Sequence, residues 1–310
     1  MSSQVATQRT DLERDVVPAP PVRRSRRRQS LVPYALLAPA GIFLAIFFVW
    51  PMIQAFVMAF QTEAGAFSLA SFRQMVNDFA FSRAIRNTLL LIVLIVPAQM
   101  VLALIMALLL QSGLRGTSFL LYSWAIPLAI SDLAAGIVWL AIFTDRGYFN
   151  SVLVGLGLSE TGLRFLSYEN PISLFAAIVL AETWRATSIV MVILVAGLQV
   201  IPKEYGEAAE VFGATGWQRL WRVTLPLLRP SIQVALILRT ILAFQVFAVV
   251  IALAGRTVPV LAGEAYYWYG SYSNPNVAAA YALLILVFSI VNTGIYLRAL
   301  RVRDEQVGII

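Results

Sequence analysis

The 310-residue chain has no cysteine, no histidine and a single lysine, and only 13% of its residues are charged. Without cysteine there is no disulfide framework, thiol nucleophile or thiolate metal site. Without histidine, a Ser-His-Asp triad, a His-ligated metal and a His proton relay are excluded. The one lysine, Lys203, belongs to no G-x-x-x-x-G-K-[ST] phosphate loop, so any ATP-derived energy must come from a partner. A soluble domain carries about a quarter charged residues. Here 60% of the chain is apolar or aromatic and mean hydropathy is +0.80, the composition of a polytopic membrane protein.

The charges are unevenly placed. Residues 1–30 hold seven arginines, three acids, the prolines Pro18, Pro20 and Pro21, and no aromatic residue. This predicts a disordered basic tail, with a short C-terminal tail at 304–310. The rival readings of the N-terminal segment are a cleaved signal peptide and a nucleic-acid arm. The first is opposed by a long basic region and an apolar run about twice the expected length. A cytoplasmic anchor obeying the positive-inside rule fits better, and no nucleic-acid partner is expected.

Between the tails, 31–303 reads as one transmembrane domain with spans near 34–60, 85–111, 118–143, 172–201, 230–254 and 277–299. With a cytoplasmic N-terminus, 15 Lys and Arg fall inside and six outside. Both termini are therefore expected in the cytoplasm. The outer loop 255–276 carries Tyr266, Tyr267, Trp268, Tyr269 and Tyr272, read as an interfacial aromatic belt ahead of a re-entrant segment or a lining for a sugar path.

The cytoplasmic loop 202–229 is not a plain connection. Pro202 with Glu204 and Glu207 starts a short helix. Gly213 stands where a left-handed cap belongs, and Thr215 with Gln218 has capping-box spacing for a second helix. Trp217 and Trp221 share one face. Pro226 and Pro230 are expected to stop that helix and start span five. Ala208, Ala209 and Gly213 expose little side chain, which suits a helix pressed into a groove on another protein. The composition alone also allows an amphipathic loop lying on the membrane.

Glu207-Ala208-Ala209, then Gly213, then Val223-x-Leu225-Pro226 resembles the EAA loop of bacterial ABC importer permeases. Tyr34 to Pro39 with Trp50-Pro51, Val138 to Leu153, Glu182-Thr-Trp184-Arg185 and Arg239 to Phe247 are similar to the carbohydrate-importing branch, whose members include maltose, trehalose and glycerol-phosphate permeases. The residue before Gly213, often Asp in that family, is Phe212 here, and Ala248 stands where Asp is usual. The resemblance implies an all-α, six-transmembrane-helix type I ABC importer permease with cytoplasmic coupling helices. It implies a multi-pass protein of the bacterial cytoplasmic (inner) membrane, not itself an enzyme, with no cofactor or metal of its own. ATP and Mg would be used by a partner ATPase, present in two copies, that docks through Glu207, Ala208, Ala209, Gly213, Leu225 and Pro226. A second homologous permease, an extracytoplasmic solute-binding protein or lipoprotein and a sugar or polyol substrate complete the expectation.

Ionisable residues deep in a span are functional candidates by default. Glu182 and Arg185 in span four, Arg239 in span five and Asp132 in span three qualify. They either pair across the bundle or line the path and bond sugar hydroxyls; for Asp132 a kink or helix-end cap is the further alternative. Trp184, Phe244, Gln245 and Phe247 are candidates for an aromatic and amide surface, against ordinary packing, with Asn87 and Gln99 behind them. The alternative function is a self-contained secondary transporter or channel. That would call for inverted repeats and paired carboxylates, of which the chain has no clear sign. A membrane-embedded enzyme would need a carboxylate pair with metal-ligand spacing, and none is evident.

Overall fold

The computed structural model describes residues 32–62, 65–113, 115–159 and 162–300. Both predicted tails, 1–30 and 304–310, lie outside the described residues. Among those described the architecture is helical; the only β element is an isolated Gln61–Phe67 bridge.

The described residues divide into two compact units, with the boundary between Met52 and Ile53. In the first, α1 (Val32–Leu44) passes through a π turn (Ala45–Val49) toward α2 (Trp50–Ala59). Its large side chains, Phe43, Phe47 and Phe48 among them, are exposed, as expected of a helix whose solvent is lipid.

The second unit is built on α4 (Phe81–Gln111) and α8 (Pro171–Val200), which pack along each other, with α11 (Leu225–Phe244) against both and α14 (Pro275–Ala299) against α11. At 1.5 Å per residue, the 31 residues of α4 extend about 46 Å, more than a hydrocarbon core. Both α8 and α14 begin at an Asn-Pro pair. Pro171 and Pro275 occupy the first turn, where a missing N–H costs nothing. Asn170 and Asn274 accept from the amides of Ser173 (3.3 Å) and Val277 (3.1 Å). Smaller helices complete the unit: α3 (Ala70–Asn77), α5 (Thr117–Ala125), α6 (Asp132–Phe143), α7 (Tyr148–Gly155), α9 (Lys203–Val211), α10 (Gly216–Arg219), α12 (Ala248–Ala254) and α13 (Leu261–Gly270).

Small residues set the helix crossings. Lipid tails are as apolar as leucine, so close backbone approach, not hydrophobic burial, holds such helices together. Ala103, Ala107, Ala181, Ala235 and Ala243 are buried at the contacts. A Cβ on Gly197 of α8 would fall 2.5 Å from the Ser231 Cβ of α11, and one on Gly136 of α6 would fall 2.6 Å from the Ala252 Cβ of α12.

Two of the six expected spans differ from expectation. Span three is not one helix over 118–143. Helices Thr117–Ala129 and Asp132–Gly155 meet at an angle of 104°. Pro127 ends the first in a 3₁₀ turn, and extended Ser131 caps the second by accepting from the Ala134 amide (3.3 Å). Span five does not run from 230 to 254. It breaks at Gln245–Phe247 before α12, and at its other end it is continuous with α10. Pro226 therefore does not stop the preceding helix. Proline's ring collides with the carbonyl four residues back, here that of Arg222. That carbonyl lies in a π turn, Leu220–Thr224, whose wider winding relieves the collision. Pro51 stands at the same offset from the π turn Ala45–Val49.

Candidate functional site

The loop after α8 folds as two helices joined by a tight cap. α9 ends at Val211 with Phe212 as its cap, and Gly213 adopts φ +77°. The Gly213 amide donates to the Glu210 carbonyl (2.9 Å) and the Ala214 amide to the Ala209 carbonyl (2.9 Å). This is the paired bonding of a Schellman motif, and it needs a left-handed residue at that position. Thr215 and Gln218 then form a reciprocal capping box: the Thr215 amide donates to Gln218 Oε1 (2.9 Å) and the Gln218 amide to Thr215 Oγ1 (3.3 Å). An Arg219–Glu210 ion pair ties α10 to α9. Trp217 and Trp221 meet edge to face at 5.6 Å and are both exposed.

Of the six expected docking residues, Glu207, Ala208 and Gly213 are exposed and Ala209 is half-buried. Leu225 and Pro226 are half-buried within α11, where they shape the helix leaving the loop instead of its tip. The tip itself is Val211 (86% exposed) and Phe212 (90%), which the sequence reading did not select. A cleft of about 460 Å³ opens between the loop and the ends of α4 and α8, lined by Gln111, Lys203, Tyr205, Glu207 and Arg219 among others.

Inside the bundle the candidate charges meet in one network. Arg239 Nη2 of α11 donates to Glu182 Oε1 of α8 (2.8 Å), and its Nε donates to Gln99 Oε1 of α4. Gln99 Nε2 donates to the Glu182 carbonyl (2.8 Å). Arg185 grips both oxygens of the same carboxylate, Nε to Oε2 at 3.0 Å and Nη2 to Oε1 at 2.6 Å. Its Nη1 donates to Asp132 Oδ1 (2.6 Å) at the start of α6. Two carboxylates and two guanidiniums leave the network neutral, which suits a low-dielectric interior where one unpaired charge costs about 3 kcal/mol on insertion scales.

The network has a closed and an open end. Glu182 and Arg239 side chains are 1% exposed and pair with each other across the bundle. Arg185 is 16% and Asp132 60% exposed, so this end faces outward from the packed core. The four residues read as an aromatic and amide surface each have their own neighbours. Phe244 is buried and stacked on Phe288 at 5.8 Å, a packing contact. Trp184 is half-buried, edge-on to Trp139 at 5.9 Å. Gln245 is exposed at the break after α11, and Phe247 packs on Tyr266 at 4.8 Å. Asn87 is buried and donates to the Pro259 carbonyl (3.0 Å), pinning the segment between α12 and α13 to α4.

One grouping was missed from the sequence, and one lesser candidate there carries more than expected. Gln99 proved a full member of the ion network. At the opposite end of α4 from the loop 202–224, Asp78, Arg256 and Glu264 gather with aromatic rings. The signal was Glu264, the single acid in the aromatic stretch 257–272. That stretch contains α13, with Tyr266 and Tyr269 exposed while Trp268 donates to Asp78 and Tyr267 meets Arg256.

Residues 75–300 match the family described as binding-protein-dependent transport system inner membrane component. The chain is 32% identical over 292 residues to the sulfoquinovosyl glycerol transport system permease protein SmoG of Agrobacterium fabrum, covering 88% of this chain and 92% of that protein. It is 30% identical over 292 residues to the trehalose/maltose transport system permease protein MalF of Thermococcus litoralis, covering 90% and 96% respectively. Among solved structures, a chain of a bacterial ABC transporter involved in import of the acidic polysaccharide alginate superposes with TM-score 0.73 at 25% identity, over 87% of this chain and 95% of that one.

Proposed function

The chain belongs to the binding-protein-dependent transport system inner membrane component family, and from that premise we propose that it forms half of the translocation path of an ATP-driven importer for a sugar or related polyol. It is a multi-pass permease, a transport subunit. In the proposed assembly a second permease completes the pore and two ATPase copies supply hydrolysis with their own ATP and Mg. An extracytoplasmic binding protein delivers solute, and both termini of this chain are cytoplasmic. Relatives that are permeases for sulfoquinovosyl glycerol, trehalose/maltose and sn-glycerol-3-phosphate support a polyhydroxylated solute.

One observation carries the coupling: a single helical path runs from the loop to the buried charges. α10, the π turn and α11 are continuous from Gly216 to Phe244, and Arg239 is on that path. Movement of the loop by the ATPase is thereby applied to the Arg239–Glu182–Arg185–Asp132 network. In this reading Asp132 and Arg185, at its exposed end, with Gln245 and Phe247 at the helix break, are the candidates to meet solute. Glu182 and Arg239 hold them in place.

The test is affinity purification of the tagged chain in mild detergent. An ATPase and a second permease are expected to co-purify. The Gly213→Asp variant is expected to lose the ATPase and keep the permease partner. An active preparation with no ATPase would instead establish a secondary transporter.

A further inference from the structure

The residues around Arg256 sit at the end of α4 remote from the coupling loop, and the proposed function does not use them. Asp78, between α3 and α4, accepts from the Ala80 amide (2.9 Å), Trp268 Nε1 (2.8 Å) and the Tyr281 hydroxyl (3.3 Å). Arg256 follows Gly255, whose φ of +55° turns the chain back toward α4. Its guanidinium lies 4.9 Å from the Tyr267 ring, 5.2 Å from Tyr272 and 5.7 Å from Phe79. It donates to Glu264 Oε2 (3.1 Å) and to the Tyr272 hydroxyl. Arg83 meets the same Phe79 ring at 5.6 Å.

Phe79, 71% exposed, borders two clefts. One, about 520 Å³, is lined by Gln74, Asn77, Asp78, Phe79, Trp268 and Tyr272. The other, about 330 Å³, includes Arg83, Arg256, Thr257 and Glu264. Both fall in the size range of small-molecule sites. Glu264 is fully buried, and its Oε1 has no hydrogen-bond partner. A buried carboxylate oxygen without a donor is costly, and so marks a place where a donor belongs. Burial pushes the Glu264 carboxyl up from the usual carboxylate range, while Arg256 holds it back.

The chemistry selects the ligand. Asp78 and Glu264 balance Arg83 and Arg256, so the cluster has no net charge to attract an ion. An anion would add charge beside a carboxylate already short of a donor. A cation would face two guanidiniums. A neutral sugar ring offers hydroxyl donors for Glu264, oxygen acceptors for the arginines and the amides of Gln74 and Asn77, and a C–H face for Phe79, Tyr272 and Trp268. We propose that this rim is a receiving subsite for an uncharged sugar, occupied before the solute reaches the transmembrane path. The proposal rests on the importer reading and narrows its substrate class.

The experiment uses the assembled importer in lipid nanodiscs without binding protein. Saturation-transfer NMR reports contact with three probes: trehalose, maltose and sn-glycerol 3-phosphate. The two neutral sugars are expected to give signal and the phosphate none. Phe79→Ala, an exposed ring, and Glu264→Gln are expected to weaken sugar binding about tenfold, the scale of one lost buried partner. If Glu264→Gln fails to fold, Phe79→Ala alone decides. Sugar signal unchanged in Phe79→Ala overturns the subsite, as does the absence of any sugar signal. Phosphate signal that disappears in the rim variants makes the site anionic and overturns the proposal too. ATPase retained in the preparation separates these failures from failure of the importer reading.

Discussion

Arg239 is a buried charge that ties three helices together. Its guanidinium reaches Gln99 and Glu182 at once, on two other helices, and is 1% exposed. Removing one partner of a buried pair costs up to about 3–5 kcal/mol; Arg185 would still hold Glu182, but the network would be left with a net negative charge. Arg239→Ala is expected to lower the thermal stability of the solubilised protein by that order, with Arg239→Gln/Glu182→Gln regaining part of it. A stability equal to wild type would show the pair to be dispensable. Lysine is a poor replacement, since an ammonium lacks the planar fork that holds two partners. Gly213 is demanding for another reason. A Cβ there meets nothing within 4 Å, yet φ is +77°. Gly213→Ala therefore strains the cap by about 1 kcal/mol. It is expected to leave membrane insertion intact while reducing sugar-stimulated ATPase activity in the assembled importer. The sequence marked Glu182, Arg185 and Arg239 because charge in a span is conspicuous. Gln99 was barely marked, because an amide in a span is not.

Among elements, the π turn before Pro226 is the one that sets direction. It adds one residue to the winding, and an α-helical turn there would rotate everything beyond it by about 100°. Arg239 would then leave Glu182. Pro226→Ala restores the N–H and removes the ring clash, so slower amide exchange at 220–226 and reduced uptake are expected. Exchange and uptake both at wild-type levels would remove the π turn from the coupling path. The α8–α11 crossing is equally specific. Gly197→Val places a branched side chain on Ser231 and Leu228, and loss of folded protein from the membrane fraction is expected. Hydropathy located these helices but misread two of them. It averages over about 19 residues, so the 104° bend at Ile130–Ser131 and the break at Gln245 vanish into apolar runs.

At the scale of the molecule the orientation is testable because the chain has no cysteine to remove. Lys203→Cys on the coupling loop and Tyr272→Cys on the rim lie toward opposite ends of α4, and both positions are exposed. A membrane-impermeant maleimide is expected to label Tyr272→Cys on intact cells whose outer barrier is opened, and Lys203→Cys only after the inner membrane is permeabilised. The reverse pattern would invert the topology and with it the assignment of rim and coupling loop. The sequence by itself determined the class, the apolar runs, and the two-helix loop 202–229 with its caps, because those signals are carried by residues within a few positions of each other. Only the tertiary structure decided that Asp132, Glu182, Arg185, Gln99 and Arg239 form one network, and that Arg256 and Glu264 form another with Phe79. The bonds joining Arg185 to Asp132, Arg239 to Glu182 and Arg239 to Gln99 span 53, 57 and 140 residues. No local pattern encodes a partner at that distance. It is selected when helices pack closely enough that each buried charge must find its opposite.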